Sequence, residues 1–491
     1  MVHWLTRLTI ILCACFLWSC ARHHYFQEDA LYKPAEKEKL APPKPGYVWA
    51  TAGRHYNRSG LHQLIWGKHY RTVWAIPVEV PILNPAELAG GLMPVEKGGG
   101  LQTTSLTLVN PNGRTFTLRT LDKDPAKSLS SFWQKTFLQN LMRDQTSAIN
   151  PYAAFTIPPL AQAANIFHTN PNLYYVAATK TGLGQYQQNF SGKLTMLEEK
   201  FVNEKSLPPA FKQAKNILNS EKLFEQLKKS PHQQVDQLAF ARARLFDILI
   251  EDLDRHEGQW NWAEYPTAAG GSLYKPIPKD RDYAYYQFAD GLIPWLLTRR
   301  ILVGHIKPFI HNIPDVGGLT HKSQKLDKQL LNQLTAEDWQ KVAKELQAAL
   351  TPAVIQQAVS RFPNSVYALT GEKTRKELET RVQKLPELAQ EYYKLLTQEI
   401  KILGTEQQEK FVVQQQAAKT TLVEVFTIPT NAGEQPRLLY KRAFTFPETK
   451  KITLDGLGNN DQFVINKPNK KKPEIKVKAR KNKHEIIATH D

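Results

Sequence analysis

Residues 245–282 read LFDILIEDLDRHEGQWNWAEYPTAAGGSLYKPIPKDRD. An apolar run ends in the triplet Asp254-Arg255-His256, and after a Gly-containing turn a second extended run closes on Asp280 and Asp282. Phosphoryl transfer needs this kind of set. One carboxylate orients an attacking hydroxyl, an amide or carboxylate a few residues later meets a metal, and a separate Asp holds Mg²⁺ on the phosphates. Just upstream, LAFARARLFDILIEDL spaces its apolar residues three and four apart, which predicts an amphipathic helix leading into the Asp254 loop. Alternation along YKPIPKDRD predicts a strand with Asp280 and Asp282 on one face. Plainer readings stand beside these: Asp254 as a helix-end carboxylate paired with Arg255, and Lys-Asp-Arg-Asp as a surface turn.

The loop Asp254-Arg255-His256-Glu257-Gly258-Gln259 resembles the catalytic loop of atypical kinases related to the bacterial toxin kinase HipA and the spore-coat kinase CotH. Those families carry D-R-H-x-x-N or D-G-H-x-x-N, then an aspartate after a short strand. The resemblance covers roughly residues 70–362 and implies an α+β, two-lobed, kinase-like domain with a β-rich N-lobe and a helical C-lobe. It implies ATP and Mg²⁺ as cofactors. Asp254 and His256 then belong to the catalytic loop, with Asp254 the base. Gln259, or Asn261, becomes the metal-side amide, and one of Asp280 and Asp282 the Mg²⁺ ligand.

The same resemblance places Arg119 where kinases hold a phosphate-binding Lys, with Lys123 four residues on and Asp144 in the following helix as its acidic partner. Gly99 and Gly100 of a Gly triplet become backbone donors to phosphate. Glu199, beside Glu198, falls at the hinge. Two departures favour a competing reading, a catalytically inactive kinase-like scaffold or binding protein. Gln259 is one methylene longer than the usual Asn, and Arg119 stands where Lys is commoner. More widely, YNRSGLHQLIWGKHYR, TLRTLDKDP, INPYAAF and TKKITLDGLGNNDQF resemble a region of large Gram-negative envelope proteins. There it accompanies a metallophosphoesterase domain and a BamA/TamA-like barrel. Neither of those domains is legible in this sequence; the resemblance implies an envelope location.

The start of the chain agrees with that location. In MVHWLTRLTIILCACFLWSC, Arg7 flanks an apolar core of eleven residues from Leu8 to Trp18. A bilayer span needs about 20 residues. Leu17-Trp18-Ser19-Cys20 resembles a bacterial lipobox, with Trp in a slot that usually takes a smaller residue. The resemblance implies a signal peptide over 1–19 and lipidation of Cys20, palmitate included. With Ala21 rather than Asp following, the enteric rule implies the outer membrane. An uncleaved anchor is the alternative. Residues 20–46, polar and Pro-containing, read as a tether. Cys13, Cys15 and Cys20 are the only cysteines. That excludes an internal disulfide after cleavage, and Cys-built zinc sites with it.

The formal net charge is +18, from 64 basic and 46 acidic residues. Nine of the basic residues, with one Glu, lie between Lys467 and Lys483. In an envelope protein such a segment suits anionic lipid or lipopolysaccharide rather than nucleic acid, and a solvated tail is the plain alternative.

Organisation follows from the remaining pattern. Residues 47–200 read as the N-lobe. Their hairpin turns at Asn110-Pro111-Asn112-Gly113, with Leu106, Leu108, Phe116 and Leu118 facing one way. Pro151 and Pro158-Pro159 bound or kink two helices over 128–166. Residues 201–402 read as the C-lobe. It includes a capping box at Thr335 and Asp338, a helix opening at Pro352 and a charged helix over 372–399. A small β domain follows over 403–466, then a basic tail over 467–491. GLGNNDQF resembles one degenerate calcium turn, with a plain tight turn as the alternative; no other internal repeat is evident. His55, His62 and His69 recur every seven residues, but Gly60 and Gly67 interrupt the helix a metal face would need. No H-E-x-x-H or G-x-S-x-G occurs.

Overall fold

A computed structural model describes residues 25–33, 40–99, 102–179, 182–207, 211, 214–268, 270–298, 308–417, 419–429, 433, 435–457, 460–466, 473–478 and 484–489. The chain mixes α and β structure, with several sheets. Among the described residues no helix is long and apolar enough to cross a membrane. Cys20 and Gly100 lie outside them.

Strands β1 (Tyr47–Ala50) and β2 (Val78–Pro81) form an antiparallel pair. Strands β3 (Met93–Gly98), β4 (Ser105–Val109), β5 (Thr115–Thr120), β6 (Asn172–Val176) and β7 (Lys193–Glu199) make an antiparallel sheet ordered β3-β4-β5-β7-β6. The expected face is observed: Leu106, Leu108, Phe116 and Leu118 are buried together in one core. The helices that matter here begin with α1 (Gly60–Trp66), α2 (Phe137–Gln145) and α3 (Ala153–Ala163). Pro158 and Pro159 lie inside α3 rather than at its ends. Interior proline costs about 3 kcal/mol. Here the helix is buried along most of its length, so packing outweighs the lost hydrogen bonds.

The next sheet orders β8 (Asn216–Asn219), β9 (Gln233–Val235), β10 (Trp260–Pro266) and β11 (Ser272–Pro278) as β8-β10-β11-β9. It packs with α4 (Gln237–Leu249), the helix that enters the Asp254 loop. The expected single apolar stripe is not what α4 presents. Arg244 and Asp247 are buried with its apolar residues, because ion pairs satisfy them inside the core. After α5 (Leu292–Leu296) come α6 (Gln324–Leu330), α7 (Ala336–Ala349), α8 (Pro352–Val359), α9 (Glu372–Gln383) and α10 (Leu385–Thr397). Thr335 and Asp338 form the expected capping box, and Pro352 opens α8. The charged run over 372–399 divides at Lys384, before Pro386 at the start of α10.

Two segments depart from the sequence reading. The stretch 20–46 is not one tether: Tyr25 and Ala30 are buried. Gln27 Nε2 donates to Thr51 O at 2.8 Å, and Leu31 bridges to Ala50. Aromatic and small apolar residues here find a core, which a polar average over the whole stretch conceals. The basic tail, in turn, carries two paired strands.

Those strands complete a repeat. β12 (Glu399–Leu403), β16 (Lys451–Asp455) and β18 (Glu474–Lys478) stack in parallel, Glu399 on Lys451 on Glu474. So do β13 (Glu409–Ala417), β17 (Asp461–Asn466) and β19 (His484–Thr489), with Lys410 on Gln462 on Glu485. The described strands therefore stack as three successive rungs in one register: Glu399–Leu403 with Glu409–Ala417, Lys451–Asp455 with Asp461–Asn466, and Glu474–Lys478 with His484–Thr489. The antiparallel strands β14 (Thr420–Thr427) and β15 (Leu438–Thr445) are inserted after the first rung. Phe411 stacks on Phe463, with ring centroids 4.8 Å apart, in a core separate from the rest. A Cβ on Gly404 would lie 2.3 Å from Glu409 Oε2, and one on Gly456 would lie 2.3 Å from Asp461 Oδ2. Each glycine makes room for a carboxylate: Glu409 accepts from Thr405 in its own turn, and Asp461 accepts from Glu409 N of the rung before. The first strand of this unit, β12, starts at Glu399.

Candidate active site

A cleft of about 850 Å³ separates the β3–β7 sheet from the β10–β11 side of the molecule. Asp254, His256, Gln259, Asp280 and Asp282 line it from one side. Gly99, Arg119, Lys123, Glu198 and Glu199 line it from the other. Every one of the proposed site residues that is described therefore reaches this cleft, except Asp144.

The floor is positioned by Arg255. Its guanidinium lies 4.8 Å from the centre of the Trp260 ring. It donates to the backbone oxygens of Gln259 at 3.1 Å, of Asp280 at 3.1 Å, and of Lys279. One buried fork thus ties the Asp254 loop to the Asp280 loop. Beneath it lies an ionic core that the sequence reading did not anticipate. Arg244, Arg255 and Arg281 surround Asp247, and Arg255 and Arg281 also face Asp252 at 3.5 Å. Arg244 continues to Asp327, which accepts from Tyr392. Burial raises the Asp252 carboxyl to about 6, against the pull of Arg255 and Arg281. The only sequence signal for this core was charge inside a helical pattern otherwise apolar.

Asp254 accepts from Lys322 Nζ at 2.7 Å. His256 Nε2 stands 3.9 Å from Asp254 Oδ2, beyond hydrogen-bond range. His256 Nδ1 instead accepts from Gly258 N at 3.0 Å, which caps a turn and leaves the neutral ring's proton on Nε2. Gln259 uses its main-chain oxygen for Arg255 and for Lys279 N. Asn261 lies within β10, and its Nδ2 donates to Phe201 O at 3.1 Å.

Asp280 and Asp282 are not strand residues. β11 ends at Pro278, and Asp280 takes φ 49°, in the left-handed region that Asp tolerates better than most residues. They reach the cleft by a turn rather than by alternation. Arg119 bonds both Asp280 and Glu198, and Lys123 bonds Asp282. Burial pushes the Asp282 carboxyl up, but Lys123 and Arg119 outweigh it and bring it below its ordinary range. Burial lowers the Arg119 guanidinium.

Asp144 is not the partner of Arg119. It is bonded by Arg71 at 2.9 and 2.6 Å and by His62 at 3.1 Å. Burial alone would raise it, but the Arg71 and His62 interactions bring its pKa down to about 2. The acidic neighbour that Arg119 bonds is instead Glu198, one strand over. A cross-strand neighbour nearly eighty positions away leaves no mark in the local sequence. Glu199 accepts from Asn170 N at 2.6 Å, and Glu198 also accepts from Thr169 at 2.6 Å. Gly99 has φ +115°, and a Cβ there would meet Thr103 O at 2.2 Å, so its glycine is required by the turn itself.

The three spaced histidines are separate. His55 faces Asp122, His62 faces Asp144, and His69 is buried against Ser147, Phe288 and Asp290. Among the described residues no group of three or more His, Cys, Asp or Glu side chains is arranged to hold a metal by itself. Mg²⁺ does not need one. It is held through one or two carboxylates together with substrate phosphates and water, and the oxygens of Asp280 and Asp282 are donors of that kind.

No protein-family model matches the chain, and no curated protein matches it. Among solved structures it is similar to the Rio2 kinase from Chaetomium thermophilum, in a complex with ADP/Mg²⁺-phosphoaspartate. The identity is 13%, over 60% of this chain and 71% of that one, with a TM-score of 0.21. At that score the likeness transfers no residue roles.

Proposed function

We propose that this chain is an atypical kinase-like phosphotransferase, two-lobed about the cleft, acting on an envelope substrate with ATP and Mg²⁺. The observation that carries the reading is the meeting of Arg119 and Lys123 with Asp280 and Asp282 across a cleft whose floor presents Asp254. In this reading Asp254 accepts the hydrogen bond of the acceptor hydroxyl and takes its proton, while Lys322 fixes the carboxylate's direction. Arg119 and Lys123 exchange their carboxylate partners for phosphate oxygens. Asp280 and Asp282, released from those pairs, would hold Mg²⁺. When bound, the ion neutralises charge on the phosphates. Lipidation at Cys20 would keep the enzyme at the outer membrane.

The scaffold reading is favoured by one feature of the same cleft. Arg119 already pairs with Asp280 and Lys123 with Asp282, so each cation has a carboxylate without a ligand. A titration separates the two. Enzyme predicts that ATP raises the melting temperature only with Mg²⁺ present, and that Asp280→Ala with Asp282→Ala removes the shift. A wild-type chain whose melting ignores ATP with Mg²⁺ would leave the scaffold.

A further inference from the structure

An exposed apolar surface lies away from the cleft, on α1 and α5. Leu61 and Leu64 of α1 are each 69% exposed, three residues apart and so on one helical face. Leu292, Trp295 and Leu296 of α5 share the 1-4-5 spacing of one face, with Trp295 41% exposed. The two helices pack together, and Gly291 comes so close to Gly67 that a Cβ on it would lie 2.1 Å from that backbone nitrogen. None of these five side chains lines the cleft. Singly exposed leucines need no explanation, but an adjoining group including a Trp marks an interaction surface.

The segments that carry the surface hold no carboxylate of their own. From Arg58 to Lys68 the sequence holds no carboxylate, and from Gly291 to Leu297 it holds none either; Asp290, just before, is turned to His69. The start of the described chain lies at the same place. Tyr25 is packed with its ring centre 5.6 Å from the Arg58 guanidinium, three residues before Leu61. Cys20 is five residues before Tyr25, and five residues reach at most about 18 Å. A lipid on Cys20 therefore brings the bilayer to the flank that carries the apolar surface.

We infer that the α1–α5 surface seats on an anionic bilayer, with Leu61, Leu64, Leu292, Trp295 and Leu296 at the headgroup boundary. Leucine supplies apolar area and Trp prefers that boundary. Lys68, exposed just after α1, adds attraction to lipid phosphate. The cleft is then held at a set height and direction above the membrane. The inference uses the reading of Cys20 as a lipid attachment point and goes beyond the proposed activity.

The test starts from a chain beginning at Ala21, which keeps every described residue and contains no cysteine. Leu64→Cys then gives one labelling site, and Lys341→Cys, exposed on α7, gives a control. With vesicles of phosphatidylethanolamine and phosphatidylglycerol, an environment-sensitive fluorophore at position 64 should brighten at least two-fold and shift to the blue. The one at 341 should not. In flotation, Leu61→Glu with Trp295→Glu should lower the vesicle-bound fraction at least five-fold at an unchanged melting temperature. Leu61→Gln with Leu64→Gln, both at exposed positions, replaces it if that pair misfolds. A silent label at 64, or equal flotation of variant and parent, overturns the inference. So does a label that responds to protein concentration without vesicles, which assigns the surface to a second copy. Palmitate incorporation into the full chain is a separate arm. Its failure, with a responsive label, removes the anchor but keeps the surface.

Discussion

Arg255 is the residue on which the two acidic loops depend. Its three backbone acceptors belong to both loops, and its charge is shared by Asp247 and Asp252. Removing one partner of a buried ionic group costs about 3–5 kcal/mol, because charge is left uncompensated. Arg255→Ala is therefore expected to lower the denaturant midpoint strongly, and Arg255→Lys to recover little of it, since Lys cannot bond both loops with one planar fork. Equal midpoints for wild type and Arg255→Ala would show that Arg244 and Arg281 hold the core without it. Asp254 behaves differently. It is partly exposed and held by a single Lys, so Asp254→Asn is expected to leave the melting temperature within about 1–2 °C. Under the enzymatic reading it loses phosphoryl transfer by two orders of magnitude or more while keeping the Mg²⁺-dependent nucleotide shift. The triplet Asp254-Arg255-His256 was legible in the sequence, but the division of labour within it was not. The middle residue faces inward and the flanking ones face the cleft, which only the turn geometry decides.

At the scale of elements, the β4–β5 hairpin was legible because alternation and an Asn-Gly turn are local signals. The three rungs were not. Their shared pattern is little more than alternating apolar residues around a turn, and β14 and β15 push the first copy away from the second. Only register reveals that Gly404, Glu409 and Phe411 correspond to Gly456, Asp461 and Phe463. Pro158-Pro159 misled for the opposite reason: a local rule was overridden by burial. The rung chemistry makes a pH prediction. Burial raises the Glu409 carboxyl to about 7, although Thr405 donates to it. Its ordinary value is about 4.3. A carboxyl raised in the folded state contributes stability that is complete below that ordinary value and is lost as pH rises through about 7. Glu409→Gln cannot ionise. Relative to wild type, it should therefore be more favourable at about pH 8 than at about pH 5. Parallel unfolding curves at both pH values would mean that Glu409 titrates normally.

Over the whole molecule, the cleft is bridged by charge. Arg119 and Lys123 come from β5 and the turn after it, and Asp280 and Asp282 from the turn after β11. The four side chains are only partly exposed, so salt screens their pairing less than it screens surface pairs. Without a ligand these bridges join the β3–β7 sheet to the Asp254 side of the cleft, together with the bond from Asn261 Nδ2 to Phe201 O. Replacing Arg119 and Lys123 by Gln removes both bridges and leaves two carboxylates facing each other's loops. Amide hydrogen exchange over residues 115–123 and 279–286 should then accelerate together, by about ten-fold for each 1.4 kcal/mol of lost coupling. Acceleration on one side alone would show that the bridges are local and do not join the two halves. Under the enzymatic reading, ATP with Mg²⁺ should protect both segments in wild type and neither in the Gln variant, since the same cations serve the bridge and the phosphates. Protection of both segments in the variant would mean that nucleotide enters without Arg119 and Lys123, and that these residues are there for closure alone.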